Sequence, residues 1–171
     1  ITPMFHGQGW GLPQSAIYSA AKVVLPGRYT AEDTSALVDA MISESVTVAN
    51  GAPAIFEPML DYIRTLKTRP DFSRARLLSG ATEPSLTLMR GFHDLTGADI
   101  IHAYGATETS PVVTMNRMKP SVAARVSEEE AWEMRKYQGL VVAGVDVKIM
   151  DPTGEEVPND GSTAGEVRLR G

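Results

Sequence analysis

Short aliphatic runs recur along this chain about 24 to 30 residues apart, and the intervals between them carry helical periods. The runs are Lys22-Val23-Val24-Leu25, Val46-Thr47-Val48-Ala49, Arg76-Leu77-Leu78-Ser79 and Asp99-Ile100-Ile101. Strands so far apart are not hairpin partners; parallel strands need a crossover of about a dozen residues or more, usually a helix. Such crossovers are right-handed. The chain is therefore expected to be α/β, a parallel sheet with flanking helices.

Three helices fill the intervals. Thr30-Ala31-Glu32-Asp33 supplies an N-cap and early carboxylates, after which Leu37, Val38, Met41 and Ile42 share one face. The second starts near Pro53, a favoured first-turn residue, and turns Ile55, Phe56, Met59, Leu60 and Ile63 inward. The third starts the same way at Pro84, buries Leu88, Met89, Phe92 and Leu95, and ends near Gly97.

After Pro111 the rhythm changes. Val112-Val113-Thr114-Met115 reads as a further strand, and Ser127-Glu128-Glu129-Glu130 is a capping box opening a polar helix to about Tyr137. From Gly144, Val145, Val147 and Ile149 alternate with Asp146 and Lys148, Asp151-Pro152-Thr153-Gly154 forms a turn, and Glu166-Val167-Arg168-Leu169 alternates again. The expected division is an α/β part over 1–138 and an antiparallel β segment over 139–171.

Composition narrows the partners. At 171 residues the chain suits one domain, and 16 Lys plus Arg against 21 Asp plus Glu leave a net charge of -5, with no basic face for nucleic-acid phosphates. There is no cysteine, which removes disulfides, thiolate-bound zinc and thiol catalysis, and a cytoplasmic setting is expected. No apolar stretch approaches the roughly 20 residues of a membrane helix. The opening Ile1-Thr2-Pro3-Met4-Phe5-His6 and the closing Glu166-Val167-Arg168-Leu169-Arg170-Gly171 suggest a fragment.

In an open parallel sheet, ligands sit beyond the carboxyl ends of the strands. Three such ends carry glycine: Asn50-Gly51-Ala52-Pro53, Ser79-Gly80-Ala81-Thr82-Glu83-Pro84 and Tyr104-Gly105-Ala106-Thr107-Glu108. Glycine lets a ligand approach the backbone, Thr107 can donate to a phosphate oxygen, Glu108 can hold a hard cation such as Mg²⁺, and Tyr104 offers a stacking ring. The same residues also suit an ordinary loop or helix start, so the spacing alone leaves both readings open.

Other candidates are weaker. Gly7-Gln8-Gly9-Trp10-Gly11 lacks the last glycine of a dinucleotide fingerprint, since Leu12 stands there, and no strand precedes it; its glycines are expected to give a tight path around Trp10. His6, His93 and His102 lack metal-ligand spacing; His93 reads as solvated and His102 as a hydrogen-bonded core histidine. No G-x-S-x-G elbow or G-x-x-x-x-G-K loop occurs. Glu128, Glu129 and Glu130 read as helix N-terminal charges.

Tyr104-Gly105-Ala106-Thr107-Glu108-Thr109-Ser110-Pro111 closely resembles the Y-G-x-T-E signature of adenylate-forming enzymes, which include acyl-CoA synthetases, luciferases and peptide-synthetase adenylation domains. Pro3-Met4-Phe5-His6 followed by Trp10-Gly11-Leu12-Pro13 resembles the fatty-acyl-CoA synthetase version. Ser79 through Pro84 resembles the family's adenine loop, and Gly144-Val145-Asp146-Val147-Lys148-Ile149 through Gly165-Glu166-Val167 resembles the approach to its smaller β-barrel. The resemblance implies that a carboxylate attacks the α-phosphate of ATP, and that the thiol of coenzyme A then takes the acyl group. It implies that Tyr104 stacks on adenine, that Gly80, Ala81 and the backbone of His102, Ala103 and Gly105 line the adenylate pocket, that Thr107 contacts the α-phosphate and that Glu108 binds Mg²⁺. Trp10, with Gly7 beside it, matches the aromatic at the mouth of the acyl tunnel; an ordinary buried Trp is the alternative.

Departures from the family pattern are Ser79 in place of a glycine, Glu83 where small residues are commoner, and Val141 and Ala143 where prolines often stand. The resemblance also implies that the phosphate-binding loop lies before Ile1, and that the ribose-binding Asp and the Lys-bearing C-terminal domain lie after Gly171. The chain alone is then expected not to catalyse. The competing expectations are a non-catalytic nucleotide-binding or scaffolding module and a ligase for a short thioether or aryl acid. The remaining domains of the same enzyme are expected partners, and self-association through exposed apolar surface is plausible.

Overall fold

Proline at the first turn and serine at the cap begin the two helices that organise the sheet. The computed structural model describes residues 1–171. Strands β1 (Val48–Gly51), β2 (Arg76–Ser79) and β3 (Asp99–Gly105) are parallel and adjacent. Following α1 (Gly7–Tyr18) and α2 (Ser35–Ser43), the crossovers are α3 (Pro53–Thr65) and α4 (Leu86–Thr96). The α/β class and its parallel centre follow the sequence rhythm.

Apolar spacing packs these helices on the sheet and on one another. Leu37, Val38 and Met41 of α2, Phe56, Met59, Leu60 and Ile63 of α3, and Leu88, Met89 and Phe92 of α4 form one buried cluster with Leu77 and Ile100. Phe56 and Phe92 meet edge to face, with centroids 6.0 Å apart and planes at 79°. Each such side chain contributes about 1.5–3 kcal/mol on burial. Ile42, expected on the inward face of α2, is 45% exposed because it falls one position past Met41 on the helix.

Local hydrogen bonding moves two helix starts. Pro84 is buried but precedes α4; Ser85 is the N-cap, its Oγ accepting the Leu88 N–H at 3.1 Å, a bond proline cannot supply. Thr30 is not the cap of α2, because its Oγ1 accepts the Asp33 N–H at 3.2 Å in a preceding turn. The carboxylate of Asp33 instead accepts from the Ser35 N–H and hydroxyl. These bonds hold the Asp33 carboxyl below the usual carboxylate range. At the far end of α4, Gly97 closes the helix at φ 74, against Ser73.

Lys22-Val23-Val24-Leu25 joins no sheet. β1 lies at the sheet edge, and without a ladder partner β-branched residues alone do not make a strand. Val46 and Thr47 likewise precede β1, which continues to Gly51. The sheet is completed by β4 (Val112–Met115) and the two-residue β5 (Leu140–Val141), both antiparallel.

Between them lie α5 (Pro120–Ala123) and α6 (Glu128–Met134), the latter opened by the expected capping box and ending short of Tyr137. Buried Trp132 of α6 is flanked by the guanidinium of Arg90, 5.1 Å from its ring centroid, and that of Arg135 at 4.3 Å. His93 is exposed, as expected, and its ring also meets Trp132 edge to face at 5.4 Å. A separate two-stranded sheet pairs β6 (Asp146–Met150) with β7 (Glu166–Arg170), antiparallel. No helix is long and apolar enough to cross a membrane.

Phe92→Ala should lower stability by about 3–5 kcal/mol in urea denaturation, since it empties the centre of the α3–α4 contact. Ser79 is fully buried and its Oγ has no hydrogen-bond partner. Ser79→Ala should therefore leave the unfolding midpoint unchanged or raise stability by up to about 1 kcal/mol.

Candidate functional site

Gly51, Ser79 and His102 stand side by side because β1, β2 and β3 are in step, Gly51 opposite Ser79 and Ser79 opposite His102. The three glycine-bearing loops foreseen in the sequence thus leave one edge of the sheet. The Gly80 N–H donates to Gly51 O at 3.1 Å, continuing the ladder one residue beyond β2. Ala81 next to it has φ 70, left-handed for a residue with a Cβ.

At the third loop the chain turns back sharply. A bulge lies between Tyr104 and Gly105, and a Cβ on Gly105 would collide with the Pro111 carbonyl. Thr107–Thr109 form one 3-10 turn, closed by Ser110 at φ 53. Thr109 ties the turn down: its Oγ1 accepts the Ala106 N–H at 3.0 Å and reaches the carbonyl of Pro111 at 2.9 Å. Thr107 and Glu108 remain exposed, and Tyr104 is 41% exposed.

Helix α1 runs its first turn across this edge and contains the glycines around Trp10; the tight path expected of them is met at Gly9, where a Cβ would collide with the Pro3 carbonyl oxygen. A Cβ on Gly7 would meet Trp10 Nε1 at 3.4 Å and Thr107 Oγ1 at 3.6 Å. Gly7, Trp10 and Thr107 are therefore neighbours, and Trp10 is 45% exposed rather than a core residue. Gln8 is bonded to the first loop, its Nε2 donating to Gly51 O at 2.9 Å and Asn50 Nδ2 donating to its main-chain carbonyl, and its amide packs on Gly80 of the second.

His102 has the structural role foreseen for its ring. It is 5% exposed, and Nδ1 lies 3.1 Å from the Lys136 carbonyl. A carbonyl only accepts, so Nδ1 carries the hydrogen. Asn116 Nδ2 donates to the carbonyls of Met134 and Tyr137, at 2.7 and 2.5 Å. Both contacts fasten the C-terminal end of α6 to the strands behind Ala103 and Tyr104.

His6 caps α1 by accepting the Gln8 N–H at 3.2 Å. No three His, Asp or Glu side chains converge to hold an ion. Glu108 is a single exposed carboxylate in the loop that leaves β3. That suits Mg²⁺, which is commonly held by one or two carboxylates together with substrate phosphates and water.

A parallel sheet whose loop edge carries an exposed ring, hydroxyl and carboxylate defines a class: the model described as AMP-binding enzyme matches residues 1–171, and the chain belongs to that family. It is 34% identical over its whole length to a long-chain-fatty-acid–CoA ligase of Thermus thermophilus, and covers 31% of that protein. It is 33% identical, over its whole length and 31% of the relative, to a 3-methylmercaptopropionyl-CoA ligase of Ruegeria lacuscaerulensis. Among solved structures, a long-chain-fatty-acid–CoA ligase of Archaeoglobus fulgidus shares the fold with a TM-score of 0.80 at 20% identity, over 99% of this chain and 33% of that one. The chain thus spans about a third of the length of these proteins.

Gly105→Ala should cost about 2 kcal/mol or more in urea denaturation, because the methyl overlaps backbone. Gly11→Ala, where a methyl meets nothing within 4 Å, should be neutral or stabilise by about 0.5–1 kcal/mol.

Proposed function

We propose that these residues form one wall of the active site of an ATP-dependent acid–thiol ligase, which makes an acyl-adenylate and passes the acyl group to coenzyme A. The observation that carries this reading is the edge itself. Beside the end of β1, the in-step ends of β2 and β3 present Gly80, Tyr104, Thr107 and Glu108, and Gly7 brings Trp10 to the Thr107 side.

In this reading a carboxylate oxygen of the acid bonds to the α-phosphorus of ATP as the bond to pyrophosphate breaks. The coenzyme A sulfur then bonds to the acyl carbon as AMP leaves and the thiol proton is lost. Tyr104 stacks on adenine, while Gly80, Ala81 and the backbone of His102, Ala103 and Gly105 line the adenylate pocket. Thr107 donates to the α-phosphate, and Glu108 would hold Mg²⁺, which when bound would supply positive charge to offset that of the phosphates. In-line displacement asks for positioning and charge balance rather than a nucleophilic side chain, and this edge offers both.

Gly7 and Trp10 border the acid. An indole between an apolar channel and a polar nucleotide site suits an acyl gate, and a fatty acid is the proposed substrate. The relatives' names also include a thioether acid, so a short thioether acid is the competing substrate. Residues 1–138 are assigned to the α/β part and 139–171 to the antiparallel segment, whose first strand, β5, still pairs with β4 of the main sheet. Met4, Phe5, Ile17 and Tyr18 are exposed apolar side chains, suited to docking the rest of the protein or a second copy.

The complete protein that carries these residues should catalyse carboxylate-dependent ATP–pyrophosphate exchange. Glu108→Ala should reduce that exchange by about 100-fold or more. Undiminished exchange in this variant overturns the metal assignment.

A further inference from the structure

The side chain of Gln8 occupies a position that neither the loop signature nor the acyl-gate residues explain. Its Nε2 donates to Gly51 O at 2.9 Å. The same carbonyl accepts the Gly80 N–H at 3.1 Å, so one acceptor holds both the α1 side chain and the loop after β2. The amide also packs directly on Gly80: a Cβ there would lie 2.9 Å from Gln8 Nε2 and 3.2 Å from its Cδ. On its main-chain side Gln8 is held twice more, by Asn50 Nδ2 at its carbonyl and by His6 Nδ1 at its N–H. Asn50 is 4% exposed, so this anchor is part of the sheet's buried surface.

These contacts fix the height of α1 over the sheet edge. Gly7 and Trp10 belong to the same helix, and Gly7 sits against Thr107. Of these contacts, the Gln8 side chain is the one that reaches both Gly51 O and Gly80, and so links the Gly80 loop to the helix that carries Gly7 and Trp10. Resting on the ligase reading above, we infer that Gln8 is a positioning residue: its amide holds the Gly80 loop at the spacing from α1 that the nucleotide requires.

The donor is the essential feature. Methionine has nearly the same length and can keep the packing on Gly80, but it cannot bond to Gly51 O. Glutamate keeps the shape, yet sets a carboxylate against that carbonyl. Loss of one such bond, with the acceptor still held by Gly80, corresponds to about a tenfold effect on an equilibrium that depends on it.

The test uses the complete protein, with ATP varied in the carboxylate-dependent pyrophosphate exchange assay and thermal unfolding measured in parallel. Gln8→Met should raise the ATP KM about tenfold and Gln8→Glu further, with kcat within about twofold and the unfolding midpoint nearly unchanged for Gln8→Met. An ATP KM within about twofold of the parent in Gln8→Met overturns the proposal, as does a fall in kcat that merely tracks a lowered midpoint. If Gln8→Glu does not fold, Gln8→Met decides. If the parent protein shows no exchange, the ligase reading falls; calorimetric titration with AMP then decides on Gln8, and an equal Kd in parent and Gln8→Met overturns its role.

Discussion

Gly51, Ser79 and His102 are neighbours only because three strands of one direction are hydrogen-bonded in a single register. A shift of one residue in any of them would move its loop along the edge and reverse its faces, placing Leu77 or Ile100 away from the helices. The register is maintained from the other side of the sheet. Leu77 and Ile100 insert under the layer that Phe56 and Phe92 join, so the same burial that stabilises α3 and α4 aligns the loops. Hydrophobic packing on one face thus sets the geometry of polar groups at the edge.

The reversal after β3 needs a second support, because β4 and β5 have little helical cover. It comes from α6. Trp132 is buried between Arg90 and Arg135, and Arg135 also reaches Asp99 at 3.0 Å, at the start of β3. With their guanidinium groups partly exposed, these cation–ring contacts are worth about 0.5–1 kcal/mol each, comparable to exposed ion pairs such as Arg90–Glu129. With α6 anchored at Trp132, its C-terminal carbonyls are available to His102 and Asn116. The strand that leads to Tyr104 is therefore held along its length by one short helix.

How much of this was legible in the sequence depends on the range of the interactions. The faces of α3 and α4 and the capping box at Ser127 rest on residues three or four apart, and the sequence reading places them well. The loop signature 104–108 was also legible, since its chemistry is contiguous. Lys22-Val23-Val24-Leu25 has strand composition but no partner, a fact that lies in the sheet order and not in those four residues. The role of Gln8 and its bond to Asn50 were missed for the same reason: the bond from Gln8 to Gly51 spans 43 residues, and nothing near position 8 signals it. Trp10 lay between these cases, recognisable by its neighbours but open as to burial.

The loop after β3 divides its labour between two similar side chains. Thr109 spends its hydroxyl on the backbone of Ala106 and Pro111, and that bond leaves the hydroxyl of Thr107, two positions earlier, exposed. Ser110 and Ala81 accept left-handed backbone on two loops of the same edge. Such conformations cost about 1 kcal/mol or more each and persist only where the surroundings enforce them. Here the surroundings are the in-step strands, the collision that excludes any side chain at 105, and the α1 turn carrying Gln8. In the proposed ligase, the in-step strands and these strained loops would hold the exposed ring, hydroxyl and carboxylate close to one another before a ligand binds. Little ordering is then left to be done on binding, which favours a reaction whose acceleration comes mainly from orientation.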